Sequence, residues 1–194
     1  MKEGEQLEID SRAQWRRWLT RHHARTSGLW LVTWKKAGGG PHVPYDDVVE
    51  EALAFGWVDS KPRAFDDERT MLWLAPRKAG TGWSAPNKAR IERMAAVGLM
   101  HAAGIAKIEA AKRDGSWTKL DAVEQLVVPP DLAAALKRLP PAAKNFDAFP
   151  RSTKRGILEW IEQARMFETR ARRVEQTASL AQNNERANQW RPKA

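Results

Sequence analysis

A chain of 194 residues with 42% apolar and 29% charged letters can bury a core of its own, which excludes a disordered, low-complexity or collagen-like polypeptide. It has no cysteine, so disulfides, thiolate nucleophiles and Cys-ligated zinc or iron–sulfur centres are excluded as well. Lys and Arg number 33 against 24 Asp and Glu, and the resulting +9 favours anionic partners such as nucleic acid, phosphorylated metabolites or lipid head groups without choosing among them.

The first residues, MKEGEQLEIDSRAQW, lack the apolar run of a signal peptide. No window approaches the roughly 18 apolar residues of a membrane span, so a cytoplasmic protein is expected. A helix is expected from Ser11 to His23, with Ser11 as cap and Trp15, Trp18 and Leu19 at helical spacing. LWLVTWKK, residues 29–36, is β-branched and aromatic on both alternating faces and reads as a central strand. A glycine-rich loop, AGGGPHVP, follows.

The next stretch, YDDVVEEALAF, is a helix by its acidic first turn and its stripe of Val48, Val49, Ala52, Leu53 and Phe55, with Gly56 placed to end it. The period then becomes two: Trp57, Asp59, Lys61 and Arg63 are expected on one face, and Val58, Ser60 and Ala64 on the other. Pro62 restricts that strand to an edge or a bend. A turn at DDE leads to a third strand, TMLWLAPR, and the three strands make a small antiparallel sheet.

From Ser84 onward the pattern is helical. Ser84 or Asn87 can cap a helix containing Ile91 and Met94, and Gly98 separates it from a second over residues 101–113. DAVEQLVVPP connects to DLAAALKRL, capped by Asp131 and broken at Pro140-Pro141. A short AAKNFDAF segment then precedes helices near residues 152–165 and 167–182. The expected fold class is α+β. Residues 1–84 form a sheet-containing region with a ligand pocket, residues 85–182 a helical region and residues 183–194 a loose tail.

Four histidines are present, but His22 and His23 are neighbours and His42 and His101 are isolated, so no metal and no cofactor is expected. Glycines beside lysine occur in AGGG and KAGTGWS, yet neither fits a phosphate-loop or dinucleotide fingerprint. The second, with Arg77 and Lys78 upstream and a helix start at Ser84, can still hold an anion. No nucleophile elbow or Ser-His-Asp grouping is legible. Asp59 is the candidate carboxylate: beside Trp57 it could orient a ligand or serve as acid/base, and its bland reading is an ion pair with Lys61 or Arg63. From Arg151 onward ten basic residues face five acidic ones, a balance of +5. Arg165, Arg170, Arg172 and Arg173 could line nucleic-acid phosphates, or form a solvated face with a Glu168–Arg172 pair.

Read together, WRRWLTRHH, GLWLVTWKK, YDDVVEEALAFGWVDS, APRK, WSAPN, GLMHAAGIAKIEAAKRDGSW, PPDLAAALKRLP and FETRARRVE resemble the YdeI/OmpD-associated, or bacteriocin-protection, family from about Gln14 to Leu180. The resemblance implies a soluble bacterial protein linked to envelope stress and to tolerance of cationic antimicrobial peptides or bacteriocins, with no established reaction. Family-typical positions fall on Trp34, Lys35, Lys36, Tyr45, Glu51, Phe55, Gly56, Trp57, Asp59, Arg77, Lys78, Trp83, Ser84 and Asn87. Two departures stand out: the family usually has Cys at Ala54 and Gly at Ser60.

The combined expectation is a pocket for a small aromatic or anionic ligand, formed by Trp34, Lys36, Tyr45, Trp57, Asp59, Arg77, Lys78, Trp83, Ser84 and Asn87. Two alternatives stand beside it: nucleic-acid binding by the basic carboxy-terminal helices, and an enzyme using Asp59.

Overall fold

The computed structural model describes residues 4–189. The chain divides into two compact units, Met1–Thr118 and Lys119–Ala194.

The first unit is built on a sheet of order β1-β2-β4-β3, from β1 (Gln6–Glu8), β2 (Leu29–Trp34), β3 (Trp57–Ala64) and β4 (Arg69–Pro76). The architecture is mixed α and β, but the sheet has four strands instead of three and is not wholly antiparallel. β1 pairs parallel to β2, with Gln6 opposite Trp30 and Glu8 opposite Val32. Three residues with one apolar side chain leave no alternating pattern for sequence reasoning to detect. β2 then lies inside the sheet, antiparallel to β4, with Leu29 opposite Leu74 and Leu31 opposite Leu72. Those four leucines define the face that carries the core.

Four helices belong to this unit: α1 (Arg12–His22), α2 (Tyr45–Ala54), α3 (Ala85–Ala96) and α4 (Ala102–Arg113). The Ser11 hydroxyl caps α1 by accepting from the Gln14 N–H at 3.3 Å. Asp46 and Asp47 occupy the first turn of α2, where the helix dipole favours them. Gly56, at φ +77°, turns the chain out of α2 into β3. α2 packs against α1, α3, α4 and β3 alike. Its crossing with α4 needs Gly104: a Cβ there would stand 2.2 Å from the Ala54 carbonyl oxygen. The buried Glu51 on α2 is held by Arg12 and Arg16 of α1, each at 2.7 Å.

The second unit is helical: α5 (Asp121–Glu124), α6 (Pro130–Arg138), α7 (Ala142–Ala148), α8 (Arg151–Glu162) and α9 (Phe167–Gln182). The connector read from DAVEQLVVPP contains the short α5. α6 begins one residue before Asp131, which sits in its first turn. α9 packs on α6, α7 and α8, and Leu132, Leu136, Phe146, Ile157, Ile161, Val174 and Ala178 form this unit's core. Beyond α9, Ala187 is buried, and residues 190–194 of the expected tail lie outside the described residues. Among the described residues no helix is long and apolar enough to cross a membrane.

Candidate functional site

The residues singled out in the sequence do not gather in one pocket. The register of β3 explains part of this. Trp57 and Asp59 lie opposite Pro76 and Leu74 of β4, on the core face. Between Asp59 and Pro62 the register shifts, so that Pro62 comes opposite Leu72 and Arg63 opposite Met71. Side chains alternate along a strand, so one extra residue turns everything after it to the other face. The expectation that Asp59 shares a face with Lys61 and Arg63 is therefore corrected: past the bulge it is Pro62 that continues the Asp59 face. The partner of the Asp59 carboxylate is the Tyr45 hydroxyl, which donates to Oδ2 at 2.7 Å.

Trp57 lines no cavity described here. It is 1% exposed, its ring meets Trp15 and Trp18 edge-on at 6.4 and 5.8 Å, and its indole N–H donates to the His23 carbonyl at 2.9 Å. The Trp15 indole is satisfied in the same way by the Val48 carbonyl at 3.1 Å. This is core, with the Trp15 and Trp57 indole hydrogen bonds both used inside the protein.

Trp34 and Tyr45 do line a cavity. It has a volume of about 130 Å³ and lies on the core face between β2, β4 and the start of α2. Leu31, Val43, Val48, Pro62, Met71 and Leu72 give it apolar walls, while Thr33, Thr70 and His42 bring polar atoms. The bulge matters here, because it is what delivers Pro62 to this wall. His42 is steadied by a 2.8 Å contact between Nδ1 and the Trp34 carbonyl. The Lys35 ammonium donates to the carbonyls of Asp66 and Asp67, anchoring the strand end next to it.

Tyr45 stands at the edge of this cavity, half exposed, with its hydroxyl on Asp59. Desolvation, and then the bond and negative charge of Asp59, push its phenol up to about 12. The Arg90 guanidinium sits 5.7 Å from the Tyr45 ring centre and donates to Asp46 at 2.6 Å and to Asn87 at 3.1 Å. Arg90 escaped sequence reasoning. Its link to Asn87 is a same-face helix spacing, but Asp46 is 44 positions away.

Arg77, Lys78 and Trp83 fall together elsewhere, around a second cavity of about 70 Å³ that is also lined by Thr81, Lys107, Asp114 and Ser116. The Arg77 guanidinium lies 3.7 Å from the centre of the Trp83 ring, a close cation–π stack. Burial pushes its pKa down to about 10, and the negative charge of Asp59 opposes that shift. Two buried donors here, Arg77 Nε and Trp83 Nε1, have no acceptor, and Arg90 Nε completes the set of such atoms among the described residues. Native interiors satisfy nearly all buried donors, so this concentration within one unit is informative.

The remaining nominees contribute less. Lys36 is exposed beyond β2 and lines neither cavity. Ser84 is the N-cap residue of α3, but its hydroxyl makes no capping bond. In the second unit, Arg170 is bound by Asp131 at 2.7 Å and by Glu162, while Arg173 covers the Trp160 ring and donates to its carbonyl. Arg165 and Arg172 are exposed, and the expected Glu168–Arg172 pair does not form. Among the described residues no group of three His, Asp or Glu could hold a metal ion.

Comparison with curated proteins and with solved structures gave no significant match. Two families match different segments of the chain. One, described as Bacteriocin-protection, YdeI or OmpD-Associated, covers residues 125–184. The suspected resemblance is thus borne out in the second unit, whereas the motif residues Trp34 to Asn87 fall inside the segment matched by the other family. That match spans residues 7–107, or 101 of 194, just over half of the chain. The chain therefore belongs to the family described as Domain of unknown function (DUF8412), and it carries a domain of the bacteriocin-protection, YdeI or OmpD-associated family after it.

Proposed function

We propose that the protein serves bacteriocin protection as a cytoplasmic stress protein that binds a small, single-ring aromatic ligand in the cavity between the sheet and α2. The observation that carries this reading is the cavity itself: about 130 Å³, walled by Leu31, Val43, Val48, Pro62, Met71 and Leu72. An apolar cavity of roughly 150 Å³ is known to stay dry and to accept benzene, so the volume suits one ring and little more. Apolar walls supply affinity, and the few polar groups, Thr33, Thr70, His42 and the Tyr45–Asp59 pair at the edge, would fix the orientation of a substituent. The bacteriocin-protection assignment rests on the family matched over residues 125–184.

Benzyl alcohol is the probe. It should raise the melting temperature of the wild-type protein saturably, and the gain should disappear in Val43→Phe, which places a ring in the cavity from a loop position. Equal stabilisation of both proteins would contradict the proposal. In cells, a strain lacking the protein should be more sensitive to a cationic bacteriocin, and Val43→Phe should restore tolerance less well than wild type.

The two other readings have narrower support. An enzyme would draw on the Tyr45–Asp59 hydrogen bond as its proton-transfer pair. Nucleic-acid binding would have to use Arg165 and Arg172, because Arg170 and Arg173 are engaged within their own unit.

A further inference from the structure

Arg77 is 6% exposed, yet among the described residues its guanidinium meets no carboxylate within ion-pair distance. All three of its side-chain hydrogen bonds leave from Nη1, and all end on neutral oxygens: the Thr81 hydroxyl at 3.1 Å, the Thr81 carbonyl at 3.4 Å and the Gly82 carbonyl at 3.0 Å. These bonds fold the 77–82 loop around one corner of the guanidinium. The Trp83 ring covers one of its faces. The opposite edge is unsatisfied, because the buried Nε–H has no acceptor. Trp83, 1% exposed, has an indole N–H in the same condition.

A desolvated cation that feels the charge of Asp59 only through space, with no carboxylate in contact, is unfavourable, and removing a partner from a buried ion pair is far more costly than never burying one. The arrangement therefore has the chemistry of an anion site: a buried cation with a donor to spare. The Nε edge of a guanidinium is the half of the fork that grips a carboxylate or phosphate with two parallel bonds. Lys78 and Lys107, both exposed, bring two more positive charges to the lining. Asp114 is the opposing charge. Its carboxylate is already occupied by the Ser116 hydroxyl, by the Ser116 N–H at 2.9 Å and by the backbone of Gly80, which hold it below the usual carboxylate range.

We propose that the cavity beside Arg77 and Trp83 is an oxyanion site, taking a phosphate or carboxylate group on the free edge of the Arg77 guanidinium, with Lys78 and Lys107 at its rim. A volume of about 70 Å³ admits the anionic group alone, so any larger ligand leaves its body outside. This inference is independent of the aromatic-ligand reading: it uses a different cavity and different residues.

The test is a calorimetric titration of the full chain with inorganic phosphate, with acetate and with glycerol phosphate, against chloride at matched ionic strength. Phosphate or acetate should bind saturably where chloride does not, and whichever of the two binds tighter identifies the anion class. Glycerol phosphate binding as well as free phosphate would mark the site as one for a head group. Arg77→Lys, which keeps the charge and loses the fork, should weaken binding at least tenfold. If that variant does not fold, Lys78→Ala/Lys107→Ala decides, since both side chains are exposed; it should weaken binding several-fold. Heats no larger than those of chloride, or affinity unchanged in every folded variant, would overturn the proposal.

Discussion

Two fully buried indoles in the first unit, Trp57 and Trp83, look alike in the sequence and equally inaccessible in the fold, yet they are in opposite chemical states. Trp57 is packed by two other tryptophans and gives its N–H to the His23 carbonyl. Trp83 is packed by Arg77 and Trp117 and gives its N–H to nothing. Burial therefore does not separate core from site here; hydrogen-bond accounting does. An indole whose donor is used inside the protein belongs to the packing, and one whose donor is left over, beside a guanidinium with a donor left over too, stands where we propose that an anion binds.

The strongest way to break this contrast is to remove the core indole. Trp57→Ala should cost about 3–5 kcal/mol of stability, the range for deleting a large buried aromatic side chain, measured as a lowered urea midpoint with little change in slope. A loss well below 1 kcal/mol would mean that the Trp15–Trp18–Trp57 cluster is not the anchor described. A subtler comparison keeps the ring and deletes the donor. Trp57→Phe leaves the His23 carbonyl without its partner and should cost about 1 kcal/mol more than Trp83→Phe, which removes a donor that was never satisfied. The reverse order would show that the Trp83 N–H is satisfied in solution.

The smallest expected effect is spectroscopic. The chain has a single tyrosine, so phenolate absorbance near 295 nm reports Tyr45 alone. Its midpoint should lie near 12 instead of 10, and Asp59→Asn should bring it down, though not fully, because burial also raises it. A raised phenol pKa means that the folded state prefers the neutral form. The Tyr45–Asp59 contribution is thus complete below pH 10 and is lost as pH rises through about 12. A wild-type midpoint at 10 would remove the hydrogen bond from the account.

Much of the fold was legible because its signals are local. The Ser11 cap, the acidic first turn of α2, the glycine stop at Gly56 and the β-branched and aromatic run of β2 each need only a few neighbouring residues. β1 was not legible, being three residues long and held by its parallel neighbour more than by any pattern of its own. The bulge in β3 was half legible: Pro62 announced an irregularity, but which face the strand presents afterwards depends on pairing with β4.

The candidate residues were read as one pocket, and the structure distributes them over two cavities and the core. Trp34 and Tyr45 line one cavity, Arg77, Lys78 and Trp83 another, and Trp57 neither. Sequence spacing cannot distribute tryptophans between core and cavity, because the difference lies in partners such as Val48, His23 and Trp117 that are remote in the chain.

The most direct test of the central claim is a nitrogen–proton spectrum of the tryptophan indoles recorded while benzyl alcohol is added. The account expects the Trp34 signal to move saturably while those of Trp15 and Trp57, locked onto the Val48 and His23 carbonyls, stay still. No movement at Trp34, or equal movement at Trp57, would contradict it.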